Sequence, residues 1–233
     1  MKQLVFATNN LNKIKEVKEI FNLPFTIYHL PLLNLKDINC NGELPETSDT
    51  VEGNAAQKAR FVYENYHYNC FADDTGLEIE ALDGRPGVYS ARYAGIVESG
   101  KVRRGESEQK SYFHTLPLSH FPVSAEDNIN KILSEMQGIE NRKAKFRTVI
   151  CLIIDGKEKL FEGAVDGVIL RERRGTAGFG YDPIFAPIVS HRHYFSSFAE
   201  MSLAEKNKFS HRAAAIRKLK QWLAQSGGYS FKI

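Results

Sequence analysis

From Phe146 to Ile154 the chain is a continuous run rich in β-branched residues. The pair Asp155-Gly156 then separates it from a second segment, Lys159 to Val165. Asp-Gly suits a two-residue hairpin turn, whose central positions need positive φ. This is a hairpin signal, so an antiparallel strand pair is expected here, and the fold is read around it. Helical patterns lie on both sides of this unit. Gln3 to Ala7 reads as a short apolar strand, Thr8-Asn9-Asn10 breaks it, and a helix begins near Leu11 with Ile14, Val17, Ile20 and Phe21 on one face. Phe25 to Leu30 reads as a strand. Ser48 to Thr50 offer caps for a helix to about Tyr66, with Val51, Ala55, Ala59 and Val62 on one face. Ser124 with Asp127 resembles a capping box before Ile129, Ile132, Leu133 and Met136. Ser202 with Glu205 opens the last helical region, whose buried face is Ile216, Leu219, Trp222 and Leu223. The class is α/β, with no internal repeat.

The length of 233 residues allows a substantial core, and the chain reads as a single unit over 1–233. A net charge of +3 is too small to argue for a nucleic-acid polymer as partner. No apolar run is long enough for a membrane span, and the N-terminus has no signal-peptide pattern. Cys40, Cys70 and Cys151 lack metal-ligand spacing and read as free thiols in a reducing cytoplasm.

Four segments carry chemistry. Cys70 to Ala72 reads as a strand that ends by presenting Asp73 and Asp74 at a rim, followed by the turn Thr75-Gly76. Adjacent carboxylates repel unless a cation or a shared proton relieves them, and magnesium, which prefers hard oxygen ligands, is the usual relief. The bland alternative is a solvated turn. Thr8, Asn9, Asn10 and Lys13 surround the start of the first helix, where backbone N–H groups attract anions; the alternative is a polar cap with a solvated lysine. In Gly175-Thr176-Ala177-Gly178-Phe179-Gly180-Tyr181-Asp182-Pro183, dense glycines let backbone approach a ligand, and an exposed aromatic offers a stacking face for a base. Lys206 with Ser210-His211-Arg212 forms a cluster of donors, or else a helix cap with solvated side chains. Gly95 to Val102 nearly fits a Walker A spacing, but Val102 has no hydroxyl for magnesium, so the fit is treated as coincidence.

Taken together, these motifs resemble those of the inosine triphosphate pyrophosphatase family, the non-canonical purine NTP (dITP/XTP) pyrophosphatases. The likeness rests on Thr8-Asn9-Asn10 with Lys13, Ala72 to Leu77, Pro86 to Tyr93, Gly178 to Pro183, and Glu205-Lys206 with Ser210-His211-Arg212, in the family's order along the chain. It implies a long twisted mixed sheet with flanking helices forming two lobes around a substrate cleft. It implies hydrolysis of ITP, dITP and XTP to the monophosphate and pyrophosphate, with Mg2+ as cofactor and a homodimer as the assembly. Asp74 matches the general base. Glu46 and Asp74 match the metal-binding positions, with Asp73 behind them. Substrate contacts are expected from Thr8, Asn9, Asn10, Leu11, Asn12, Lys13, Thr75, Phe179, Gly180, Tyr181, Asp182, Lys206, His211 and Arg212.

The chemistry follows from these assignments. Lys13, Lys206 and the Thr8-Asn9-Asn10 group would neutralise phosphate charge. Hypoxanthine and xanthine present an oxygen at C6 where adenine presents an amino donor. Donors on His211 and Arg212 would therefore accept the first two and reject the third. Phe179 would stack on the ring, and Asp182 would accept from N1–H. The main alternative is a nucleotide-binding sensor without turnover. The segment from about Ile96 to Val123 has no counterpart in the family pattern. It reads as an insertion, with a lid over the triphosphate as its functional alternative.

Overall fold

The structure is a computed structural model and describes residues 3–22, 31–96, 123–189, 192–193 and 196–225. The strand expected over 25–30, the Walker-like stretch beyond Ile96, and the insertion over 97–122 lie outside the described residues.

The hairpin sits at the centre of the sheet. Strand β5 (Lys143–Ile154) pairs antiparallel with β6 (Lys157–Ile169) from Lys143↔Val168 to Ile154↔Lys157. The turn between them is the two residues Asp155 and Gly156, both at positive φ (49° and 76°). On its other side β5 pairs antiparallel with β3 (Cys70–Ile79), which adjoins β1 (Leu4–Phe6) in parallel, and β1 adjoins β2 (Leu32–Asn34) in parallel. A short strand β4 (Pro86–Gly87) also pairs with β3. Beyond β6 come β7 (Phe185–Val189) and β8 (Arg192–His193), both antiparallel. The result is an open mixed sheet in the order β2-β1-β3-β5-β6-β7-β8.

Strand alternation divides the packing. One face of the sheet carries Cys70, Ala72, Val149, Cys151 and Ile153, and helix α2 (Val51–Tyr66) lays Val51, Ala55, Ala59 and Val62 on it. The opposite face carries Phe71, Ile150, Leu152 and Ile154. It is covered by Val17 and Ile20 of α1 (Leu11–Asn22) and by Ala213, Ala215, Ile216 and Leu219 of α5 (His211–Gln225). A third core lies toward the other end of the sheet. There Leu77, Ile79, Phe146, Val165 and Phe185 pack with Ile129, Ile132 and Met136 from the region of α3 (Ala125–Glu135).

The expected caps are present. Thr50 Oγ1 accepts from Gly53 N, and Ser124 with Asp127 forms a reciprocal capping box. Ser202 with Glu205 does the same for α4 (Leu203–Phe209). Three strand readings need correction. The strand from Cys70 does not end at Ala72, and β5 and β6 begin or run several residues past the bounds read from sequence. Ladder pairing carried these residues into the sheet although most of their side chains are polar or small.

Candidate active site

The acidic pair lies in the middle of a strand. The chain end expected there belongs instead to its neighbour. β1 stops at Phe6, opposite Phe71, and Ala7 N makes the last bond, to Phe71 O (2.8 Å). β4 rejoins β3 only at Leu77. Between them, Asp73 to Gly76 keeps its pairing to β5 on one side and opens toward a cleft on the other. The cleft has a volume of about 680 Å³, in the range of small-molecule sites. Another depression of similar volume, at the far end of β5 and β6, carries exposed pairs such as Arg171–Glu140 (2.8 Å) and, among the described residues, no convergent buried acids.

Alternation sends the two acids to opposite faces. Asp73 points to the α1/α5 side, where Lys13 Nζ donates to its Oδ1 (3.0 Å) and Arg212 Nε to its Oδ2 (2.9 Å). Asp74 points to the α2 side. There Asn54 Nδ2 donates to Oδ2 (3.3 Å) and Lys58 Nζ lies 3.5 Å from Oδ1. Proton affinities separate accordingly. Burial opposes ionisation of Asp73, but Lys13 and Arg212 outweigh it and hold its carboxyl well below the usual carboxylate range. Burial pushes the Asp74 carboxyl up; Lys58 and Lys13 pull it down, while Glu46 and Asp73 push it further up. The two adjacent aspartates thus differ in proton affinity, Asp73 held as an anion and Asp74 the more readily protonated.

Lys58 was not singled out from sequence, yet it joins the expected metal residues. Its ammonium, almost fully buried, also donates to Glu46 Oε1. The loop bearing Glu46 is fastened to the same helix. Thr47 and Gln57 exchange two hydrogen bonds (2.9 and 3.0 Å), and Ser48 N donates to Asn54 Oδ1 (2.9 Å). The available signal was polar: Asn54 and Lys58 are one turn apart beside the buried Ala55 and Ala59.

Glu16 was missed as well. It is 3% exposed on α1, where Arg212 Nη1 and Lys206 Nζ (2.7 Å) donate to its carboxylate. Burial resists its charge, but Arg212 and Lys206 overcome that and lower its proton affinity. Lys206 also donates to Asp182 Oδ2 (2.6 Å). A buried chain of ion pairs therefore runs Lys13–Asp73–Arg212–Glu16–Lys206–Asp182. This revises two expectations. Lys206 is 3% exposed and its charge is already balanced by two carboxylates, so it is not a free cation awaiting phosphate. Arg212 has Nε, Nη1 and Nη2 engaged by Asp73, Glu16 and Thr75.

The glycine loop also departs from expectation. Tyr181 is a core residue, 5% exposed, and its hydroxyl donates to Ser90 O (2.8 Å). Asp182 Oδ2 accepts from Phe179 N (2.8 Å), so its carboxylate shapes the loop. Gly178 has φ +73°, and a Cβ there would stand 2.1 Å from Asp182 Oδ2. Phe179 is left half-buried on the cleft wall, with Lys206 Nζ and the Arg212 guanidinium 5.2 and 5.7 Å from its ring centroid.

At the start of α5, Ser210 is the cap, its Oγ accepting from Ala213 N (3.3 Å), but the two residues after it are not solvated. His211 is buried and stacks on Phe146 (4.6 Å between centroids). Burial, then Arg212 and Lys206, lower its proton affinity well below the ordinary value, so it is neutral at pH 7. Gly163 of β6 permits this approach, because a Cβ there would lie 2.2 Å from His211 O.

At α1 the expected anion site is filled by its own side chains. Thr8 Oγ1 accepts from Asn10 N (3.2 Å), and Asn10 Oδ1 accepts from Asn12 N and Lys13 N (3.0 and 3.2 Å). Thr8, Asn9, Asn10, Asn12, Lys13, Glu46, Asp74, Thr75, Phe179, Gly180, Tyr181, Asp182, Lys206, His211 and Arg212 all line the cleft. Leu11 does not; it is 65% exposed and turns away.

An open α/β sheet with a cleft that sets carboxylates against buried cations defines a protein built for a small, charged ligand. The chain belongs to the Ham1 family, which matches residues 4–222. It is 45% identical to a protein of Christiangramia forsetii named dITP/XTP pyrophosphatase, across 96% of this chain and 100% of that one. A Flavobacterium psychrophilum protein of the same name is 46% identical, across 93% and 96%. The solved Ham1 protein of Staphylococcus aureus superposes with a TM-score of 0.72 at 32% identity, covering 97% of this chain and 100% of its own.

Proposed function

We propose that this protein hydrolyses non-canonical purine nucleoside triphosphates (ITP, dITP and XTP) to the monophosphate and pyrophosphate. The observation that carries the reading is Asp74, a cleft-lining carboxylate of raised proton affinity held between Asn54 and Lys58. Its relatives' names supply the substrate class. Asp74 takes the proton of the attacking water at a carboxylate oxygen. Lys13, at the cleft end of the ion-pair chain, faces the phosphates, while Asp73 holds it in place.

Mg2+ is the cofactor this reading implies, and the residues fit it. Glu46 and Asp74 already converge on one cationic group, the Lys58 ammonium. Among the described residues no third His, Cys, Asp or Glu side chain joins them. That suits a hard cation which takes one or two carboxylates and completes its shell with water and phosphate oxygens. Bound there, the ion would offset phosphate charge and ease nucleophilic attack. No described helix is long and apolar enough to cross a membrane. The buried free thiols of Cys40, Cys70 and Cys151 suit a cytoplasmic setting. The family likeness supports a homodimer, which light scattering would test.

A panel of triphosphates assayed with magnesium, reading phosphate and pyrophosphate separately, tests the activity. ITP, dITP and XTP are expected to exceed ATP by roughly 10² in kcat/KM, the discrimination available when donors face a C6 oxygen. Equal rates on ATP, or release of single phosphate, would sink the reading. A nucleotide sensor would bind and release nothing. Phe179→Ala should raise KM for every purine triphosphate alike, because stacking does not depend on ring substituents. A change confined to one base would instead give Phe179 a selective role.

A further inference from the structure

Thr75 and Thr148 lie directly opposite each other on β3 and β5, with their hydroxyl oxygens 2.6 Å apart. The distance alone leaves the donor open, but the surroundings decide it. Thr148 is 0% exposed, and Thr75 is the one side-chain partner its hydroxyl has among the described residues. If Thr75 were the donor, the Thr148 proton would be buried with no acceptor, and an unsatisfied buried group is costly. Thr148 therefore donates and Thr75 accepts. Thr75 also receives Arg212 Nη2–H at 3.1 Å, and a guanidinium can only donate. A hydroxyl oxygen has two acceptor positions, and both are now filled. The one remaining capability of Thr75 is its own proton, and Thr75 lines the cleft.

We infer that Thr148 is a positioning residue that, with Arg212, turns Thr75 into an obligate hydrogen-bond donor aimed into the cleft. Its ligand is an acceptor-only oxygen, as on a phosphate or a sugar ring, and a ligand donor placed there is turned away. Sequence gave no hint of this, since Thr148 sits inside the apolar run of β5. The inference rests on the proposed hydrolysis for its kinetic test and on geometry alone for its structural one.

The kinetic test contrasts two substitutions. Thr148→Val keeps the volume and removes the hydroxyl; Thr148→Ser keeps the hydroxyl and removes the methyl. If the hydroxyl orients Thr75, Thr148→Val lowers kcat/KM for ITP about tenfold, the scale of one hydrogen bond to a charged oxygen. Thr148→Ser stays within about twofold of wild type on the same scale. A purely packing role predicts the reverse order, with Ser the worse of the two, and that order would overturn the inference. In a Thr75→Ala background, Thr148→Val should cost little more; an undiminished loss there also overturns it. Thermal melting of each variant checks that the fold survives. Neutron diffraction from deuterated crystals reads the arrangement without any assay. The Thr148 deuteron is expected on the line to Thr75 Oγ1, and a deuteron from Thr75 on that line refutes the proposal even if the enzyme is active. A wild-type chain inert toward ITP, with the deuterons as expected, would instead count against the proposed function alone.

Discussion

Asp74→Asn is expected to lower turnover of ITP by about 10²–10⁴-fold, the contribution of a positioned general base, while leaving the fold intact. The amide is the size of the carboxylate and can still accept from Asn54, and Lys58 keeps Glu46 as a partner. Thermal melting should therefore move little. The neighbouring Asp73→Asn should do the opposite to stability, because Asp73 is the shared partner of Lys13 and Arg212 in a buried setting. Measuring kcat and the melting temperature for both variants separates the two acids. An Asp74→Asn enzyme within a few-fold of wild type would remove the base assignment.

Glu16→Gln is expected to cost about 3–5 kcal/mol of folding stability at pH 7, since it leaves two buried cations, Lys206 and Arg212, short of a shared anion. The pH dependence has a definite sign. The folded protein lowers the Glu16 proton affinity, so the stabilisation is fully present above its ordinary value of 4.5 and is lost as pH falls through the lowered one. Burial raises the proton affinity of both Asp74 and Asp182; Asp74 is common to the two proteins and cancels in the difference, whereas Glu16 adds to the rise at Asp182, so its removal leaves Asp182 less raised in the variant. The stability gap between wild type and variant, from urea melts, should thus be flat near neutrality and narrow in acid. A gap under about 1 kcal/mol would mean that the pair is solvated and worth no more than a surface ion pair.

Much of the architecture was legible because it depends on local chemistry. The Asp155-Gly156 turn, the Thr50 and Ser124 caps and the apolar stripe of α2 each specify their own neighbourhood. What escaped depends on partners distant in sequence. The acidic pair read as the end of a strand because polar residues follow the apolar Cys70 to Ala72, yet β5 extends beside it and holds the backbone through Ile79. Glu16 and Lys58 are unremarkable charges on helices until the fold brings Arg212 and Asp74 to them. Tyr181 looked like a surface aromatic because its neighbours are glycines. The hydroxyl's partner, the carbonyl of Ser90, comes from a segment some ninety residues earlier. Motif order located the cleft residues; whether a given cation is free or already paired could be decided only by burial.

The ion-pair chain across the cleft floor has a consequence for how a ligand arrives. Lys13, Arg212 and Lys206 are matched by Asp73, Glu16 and Asp182, so the cluster carries no net charge. Opposite charges a few ångströms apart cancel rapidly with distance, and at physiological salt little field survives beyond about 8 Å. These six residues therefore do not draw a polyanion in from afar, as a one-signed basic funnel would. This part of the floor acts on a ligand only at contact distance.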